Sequence, residues 1–275
     1  MRSTRRRGRR GRRGIGRSIG LGIGLGFPQA ATAAACAAVM AVTSACAAQQ
    51  SQPDIAELRA TATGYDAESK RSAEETRLRG LLDRLNRVEG LHHAYTRFTD
   101  HCTGPSKGNF KDPPSVDLVS CSMGVHAVYG VEGDVTDVLR RIDAAGVTPW
   151  QPNLNGPGSA SGGTLDYALE YHRLRGVFPD GLLMPAPSLV SEDRGLVIAW
   201  DYPPLPDHPA ASAQVEGEDP PACPPAGPVH SRCRIDPQQP DSVPAVRARY
   251  GTVLSVRIGR PGSTPYFTVP RPRAR

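Results

Sequence analysis

VDLVSCSMGVHAVYGVEGDVTDVLRRIDAAG, Val116 to Gly146, carries two hydrophobic periods in succession. Its first half alternates with period two. Val119, Cys121, Met123, Val125, Ala127, Tyr129 and Val131 fall on one side, and Ser120, Ser122, Gly124 and His126 on the other. That is a strand with one face on a core. Gly133 and Asp134 then change the period. Val135, Val138, Leu139 and Ile142 stand at i, i+3, i+4 and i+7, one stripe of a helix. Asp134 is placed to cap its start and Gly146 to end it.

Working towards the N-terminus, Leu91 to Phe98 reads as a second strand, and the Gly- and Pro-rich stretch from Thr103 to Ser115 as the loop joining the two. Asp54 to Gly90 reads as helix. Leu78, Leu81, Leu82, Leu85 and Val88 share one stripe, so Glu74 to Arg87 is expected on the sheet. The poorly amphipathic part, residues 54–73, is expected to be a solvated stalk. Towards the C-terminus, Val147 to Trp150 reads as a short strand and residues 151–163 as a loop. Thr164 caps a helix from Leu165 to Arg175, with Leu165, Ala168, Leu169 and His172 on one side. Gly181 to Val190 and Gly195 to Tyr202 read as a hairpin. Pro203 to Pro244 reads as irregular chain, Arg247 to Ile258 as a long strand, and a further short strand ends at Val269. The pattern is one α+β domain, a disulfide-stapled, twisted antiparallel sheet with helices packed on one face. The expected layout is a signal segment (1–46), a tether and stalk (47–75), the domain (76–270) and a basic tail (271–275).

Net charge is +6, which points towards nucleic acid until its distribution is read. Nine arginines lie in residues 1–17, and no acidic residue precedes Asp54. Without that head, 24 basic residues face 27 acidic ones. The remaining chain is mildly acidic and has no electrostatic footprint for DNA or RNA, so no nucleic-acid partner is expected.

Between Arg17 and Asp54 there is no charged side chain. A basic start, an apolar run and small residues at its end form a bacterial export signal. The run closes on Val42-Thr43-Ser44-Ala45-Cys46. Ser44, Ala45 and Cys46 resemble the lipobox of bacterial lipoproteins, while Thr43 stands where that motif usually has an aliphatic residue. The resemblance covers only the head. It implies cleavage before Cys46, diacylation of Cys46, and a membrane contact through the lipid anchor. Two other readings stand beside it. One is ordinary cleavage after Ala45-Cys46-Ala47. The other is an uncleaved membrane anchor, since the uncharged run exceeds the roughly 20 residues of a span.

Six cysteines are present: Cys36, Cys46, Cys102, Cys121, Cys223 and Cys233. Removal of the head and lipidation of Cys46 leave four, an even number in an exported domain. Of the three pairings available, the local one, Cys102–Cys121 and Cys223–Cys233, is the simplest. Each closes a short loop and stabilises by about 3 kcal/mol through loop-closure entropy.

No motif names a chemistry. His92 and His93 are adjacent, so on a strand they point to opposite faces. A metal set of one of them with Asp100, His101 and His126 is conceivable across neighbouring strands, but no H-E-x-x-H or paired C-x-x-C spacing supports it, and no metal is expected. Gly156 to Thr164 lacks the lysine of a phosphate loop, and the centre of Gly158-Ser159-Ala160-Ser161-Gly162 is alanine rather than the nucleophile of an elbow. S-x-x-K is absent, and no carboxylate pair is singled out by its spacing. Trp150, Trp200, Tyr167, Tyr171 and Tyr202 read as core, rim or the lining of a ligand groove. The sequence thus points to an uncharacterised exported lipoprotein at the outer face of the cytoplasmic membrane. It reads as a binding or structural module rather than an enzyme, without cofactor and with an envelope-protein or cell-wall partner. The competing reading is a secreted or membrane-anchored hydrolase without a recognisable motif.

Overall fold

The strand read from Val119 to Val131 is β2, Asp117–Val131, and the rest of the sheet is assembled on it in a computed structural model of the chain. The structure describes residues 53–108, 110, 113–151, 163–193, 195–202, 214–217, 221–259 and 264–272. The export signal with Cys46, most of the tether, the Gly-rich stretch before Thr164 and the end of the basic tail lie outside the described residues.

β1, Leu91–Thr103, runs antiparallel along one edge of β2 over nearly its whole length. The other edge of β2 is shared. β6, Thr252–Ile258, pairs with its Val125–Val131 half, and β7, Phe267–Pro270, with its Asp117–Cys121 half. β4, Leu196–Trp200, continues beyond β6, and the two-residue β3, Leu189–Val190, closes that side. β5, His230–Asp236, forms the opposite edge against β1. The order is β3-β4-β6-β2-β1-β5, all pairs antiparallel. The α+β class with a disulfide-stapled antiparallel sheet is therefore the fold. Cys102 and Cys121 stand directly opposite each other on β1 and β2 and are bonded, and Cys223 is bonded to Cys233.

The alternation in β2 sorts its side chains as read. Met123, Val125, Ala127, Tyr129 and Val131 are all buried in the largest core. Four helices cover that face: α1 (Ile55–Ala62), α2 (Tyr65–Leu85), α3 (Val135–Ala144) and α4 (Leu165–Arg173). In α3, Asp134 Oδ1 accepts the Thr136 N–H at 2.7 Å, and Val138, Leu139 and Ile142 are fully buried. Each such aliphatic side chain contributes about 1.5–3 kcal/mol on burial.

Five readings are corrected. Residues 54–73 are not a solvated stalk. Leu58, Ala62 and Ala67 close a second core over Cys102, Cys121, Val119 and Phe267. Arg71, only 3% exposed, occupies an inward position of α2 among apolar residues and interrupts the helix's apolar stripe. In α4 the buried residues are Tyr167, Ala168 and Tyr171 rather than Leu169 and His172, so the helix is turned towards its aromatic side. Val147 to Trp150 contributes only an isolated bridge, Trp150 to Ser191. Within the supposedly irregular Pro203–Pro244 lies β5. The long strand from Arg247 is instead the end of a helix, α5 (Val243–Tyr250), followed by β6. Ser242 accepts the Ala245 N–H at 3.2 Å, Pro244 sits in the first turn, and Gly251 ends the helix at φ +80°.

Helix α5 also departs from the one-face arrangement. Val243 and Val246 pack with Ala94, Tyr95, Val128 and Val253, on the second face of the sheet. Tyr250 lies over Gly130 so closely that a Cβ there would stand 2.0 Å from its ring. A bulge in β1 makes this face continuous. The register shifts between His93 and Tyr95, so His93 opposes Tyr129 on the first face whereas Tyr95 opposes Val128 on the second.

Candidate functional site

Beyond α5 the second face carries polar side chains, and the register states which ones are neighbours. Arg97 lies opposite His126, and His126 opposite Arg257, one row across β1, β2 and β6. Adjacent strands are about 4.8 Å apart, so the row spans roughly 10 Å. Two residues along the strands, Thr99 faces Gly124. Two further along, His101 stands between Ser122 on β2 and Ser231 on β5. These rows floor a groove of about 1000 Å³. Gly124 keeps its middle low, since a Cβ there would meet Thr99 Oγ1 at 3.2 Å.

Both walls are fixed by specific bonds. Pro224 and Pro225 form one, and the Cys223–Cys233 disulfide ties that segment to β5. Arg97 Nη1 donates to the Ala222 carbonyl at 2.7 Å, and Gly227 passes so near the His101 ring that a Cβ would come within 2.4 Å. Across the groove stand Glu216 and Gly217. Their segment is held by Asp201, which accepts the Val215 N–H at 2.6 Å, the Val253 N–H at 3.0 Å, and Nε and Nη2 of Arg247 at 2.8 and 3.0 Å. The bonds that Arg247 donates to Asp201 raise its pKa against the opposing effect of burial. Arg257 is exposed on the floor and makes no hydrogen bond or ion pair among the described residues.

The metal set weighed from sequence does not converge. His92 binds Glu132 Oε2 at 2.6 Å and stacks on Tyr250, whereas His93 meets Thr96 Oγ1 at 2.7 Å and the edge of Tyr129. They do point to opposite faces. Asp100 faces away from His101 and His126 and belongs to a buried network on the first face. Arg71 Nε donates to its Oδ2, Tyr266 donates to its Oδ1 at 2.7 Å, and His230 Nε2 lies 3.5 Å away. Arg71 also bonds the Ala62 carbonyl at 2.9 Å and pairs with Glu68 at 2.8 Å. Burial opposes the Arg71 charge, yet Asp100, Tyr266 and Glu68 together raise its pKa. Among the described residues no three His, Cys, Asp or Glu side chains are grouped to hold a metal.

Trp150, Trp200, Tyr167, Tyr171 and Tyr202 do not line the groove either, whose aromatic lining residue is Tyr95. Tyr167 and Tyr171 are buried residues of α4 itself, and Trp200 and Tyr202 are buried beside them; Trp200 Nε1 donates to His172 Nε2 at 3.0 Å and Tyr202 donates to the Pro187 carbonyl. A smaller cleft of about 540 Å³ runs between α3 and α4, past Asp134, Arg140 and His172. Sequence reading passed over Arg97 and Arg257. The only signal for them was strand parity, and parity fails at the bulge in β1 and at the helix–strand boundary before β6.

The groove is thus lined by two guanidinium groups, two imidazoles and several hydroxyls, with Glu216 at its rim. Such a floor suits hydrogen bonding to a polar ligand. The chain matches no family model, no curated protein and no solved structure.

Proposed function

We propose that the protein is an exported envelope lipoprotein, held through Cys46 at the outer face of the cytoplasmic membrane, that works as a binding module through the groove on its second sheet face. The observation that carries this reading is the Cys223–Cys233 bond in the groove wall. A site whose wall is stapled by a disulfide is complete only where disulfides persist, which is outside the cytoplasm. The even set of four bonded cysteines and the lipobox-like Ser44-Ala45-Cys46 point the same way. The groove is open, and its walls are fixed by Asp201, Arg97 and the disulfide before any ligand arrives. That favours recognition with little ordering cost.

One experiment tests both halves. Protein extracted from the envelope of expressing cells is weighed by native mass spectrometry. The expected mature chain begins at Cys46, carries diacylglycerol that Cys46→Ser abolishes, and holds a non-covalent adduct that Thr99→Tyr, which fills the groove floor, removes. A mature N-terminus at Ala48 sinks the anchor. An adduct equally abundant in Thr99→Tyr sinks the groove as the binding site.

A further inference from the structure

The row Arg97–His126–Arg257 is unusual for a sheet surface. Side chains directly opposite one another on neighbouring strands interact, and two arginines flanking a histidine gain nothing from one another. Among the described residues that line the groove, two are acidic and both stand outside this row: Glu216 belongs to the wall, and Asp100 is bonded to Arg71 and Tyr266 on the first face. Arg97 is not loose: its bond to the Ala222 carbonyl aims the guanidinium along the groove wall. A guanidinium is a planar fork matched to the oxygens of phosphate or carboxylate. Two forks with an imidazole donor between them, spread over three strands, fit the three oxygens of a phosphate better than the two of a carboxylate.

The second half of the floor is different in kind. Ser231, His101 and Ser122 lie four residues along the strands from the arginine row, roughly 13 Å away at strand rise. They carry neutral donors and acceptors suited to hydroxyl groups. Between the two rows Gly124 leaves the floor bare. The volume, about 1000 Å³, leaves room for a molecule that reaches both rows.

We propose that the groove binds a polyol or sugar phosphate, its phosphate on Arg97, His126 and Arg257 and its hydroxyls towards Ser122, His101 and Ser231. This rests on the binding-module reading and names the ligand class for the same site. Calorimetry on the purified full chain, with glycerol 3-phosphate, inorganic phosphate and glycerol as probes, tests it. Glycerol 3-phosphate should bind saturably and more tightly than inorganic phosphate, and glycerol should give no heat. Arg257→Gln removes an exposed side chain and should weaken glycerol 3-phosphate binding about tenfold or more, the loss of a charged hydrogen bond. Arg97→Gln should do at least as much, and Arg87→Gln, an exposed residue of the other face, nothing. Equal affinity for wild type and Arg257→Gln overturns the phosphate row. Inorganic phosphate binding as tightly as the ester overturns the hydroxyl row. An uncharged adduct on the extracted protein, with no heat from either phosphate probe, overturns the ligand class and leaves the binding module standing. Absence of both adduct and heat brings down the two together.

Discussion

The two faces of the central sheet are built from the same strands and end up with opposite properties. On the first face, β2 presents Met123, Val125, Ala127 and Tyr129 to four helices, and even its charged groups are enclosed, as with Asp100 and Arg71. On the second face, α5 and the segment at Val215 cover Tyr95, Val128 and Val253, and then coverage stops at His126 and Gly124. The first face holds the stability. The second is closed only as far as the groove needs walls. A single strand can therefore serve both purposes, because its alternation hands every second residue to a different environment.

The contrast can be broken most severely at Asp100. Asp100→Ala leaves Arg71 buried without its main partner and should cost about 3–5 kcal/mol, read as a fall in the urea midpoint of the full chain. A small loss would mean that water reaches Arg71 and that the first face is not closed. Next comes the pair Val125→Ala and His126→Ala, adjacent residues on opposite faces. Val125→Ala removes two methyl groups from the core and should cost on the order of 1–3 kcal/mol. His126→Ala, on the half-open groove floor, should cost under about 1 kcal/mol while weakening the binding of glycerol 3-phosphate. The reverse ranking would make the second face the one that holds the fold.

The smallest effect is that of pH. His93, His172 and His230 all have pKa values lowered from 6.5, each chiefly by burial. Asp236 opposes the shift at His93 and Asp134 opposes it at His172, while Arg71 adds to it at His230. The folded protein thus prefers neutral imidazoles, and the unfolded chain takes up protons first. The contribution of these residues is complete above about pH 6.5 and is lost as pH falls through the lower folded values. The urea midpoint should decline between pH 7.5 and pH 5.5. A midpoint that rises instead would show these imidazoles charged in the native state.

The stretch Val116 to Gly146 was legible because its periods are strong and its capping residues local. Asp134 reaches Thr136, two residues away, and nothing distant is needed to start α3. The disulfide Cys102–Cys121 was legible for a related reason, since two strands joined in sequence as a hairpin bring the residues that flank their connection together. The stalk was misread because Arg71 looks like a solvent residue until Asp100, on another element, is placed beside it. The second half of the chain was misread where prolines hid β5 and where Tyr250, a strand former by composition, ends a helix fixed by Ser242 and Gly251.

The sequence by itself determined the secondary structure around β2, the inward face of that strand, the pairing of nearby cysteines and the basic, apolar head. All of these rest on interactions between residues close along the chain. Only the tertiary structure decided the buried Arg71–Asp100 network, the position of α5 and the groove. Arg97, His126 and Arg257 come from three strands, the first two separated by 29 positions in the chain and the last two by 131. Their meeting depends on strand order, on a bulge that reverses parity in β1, and on where coverage of the sheet ends. No local period carries that information, because each of these facts is a relation between elements and not a property of one.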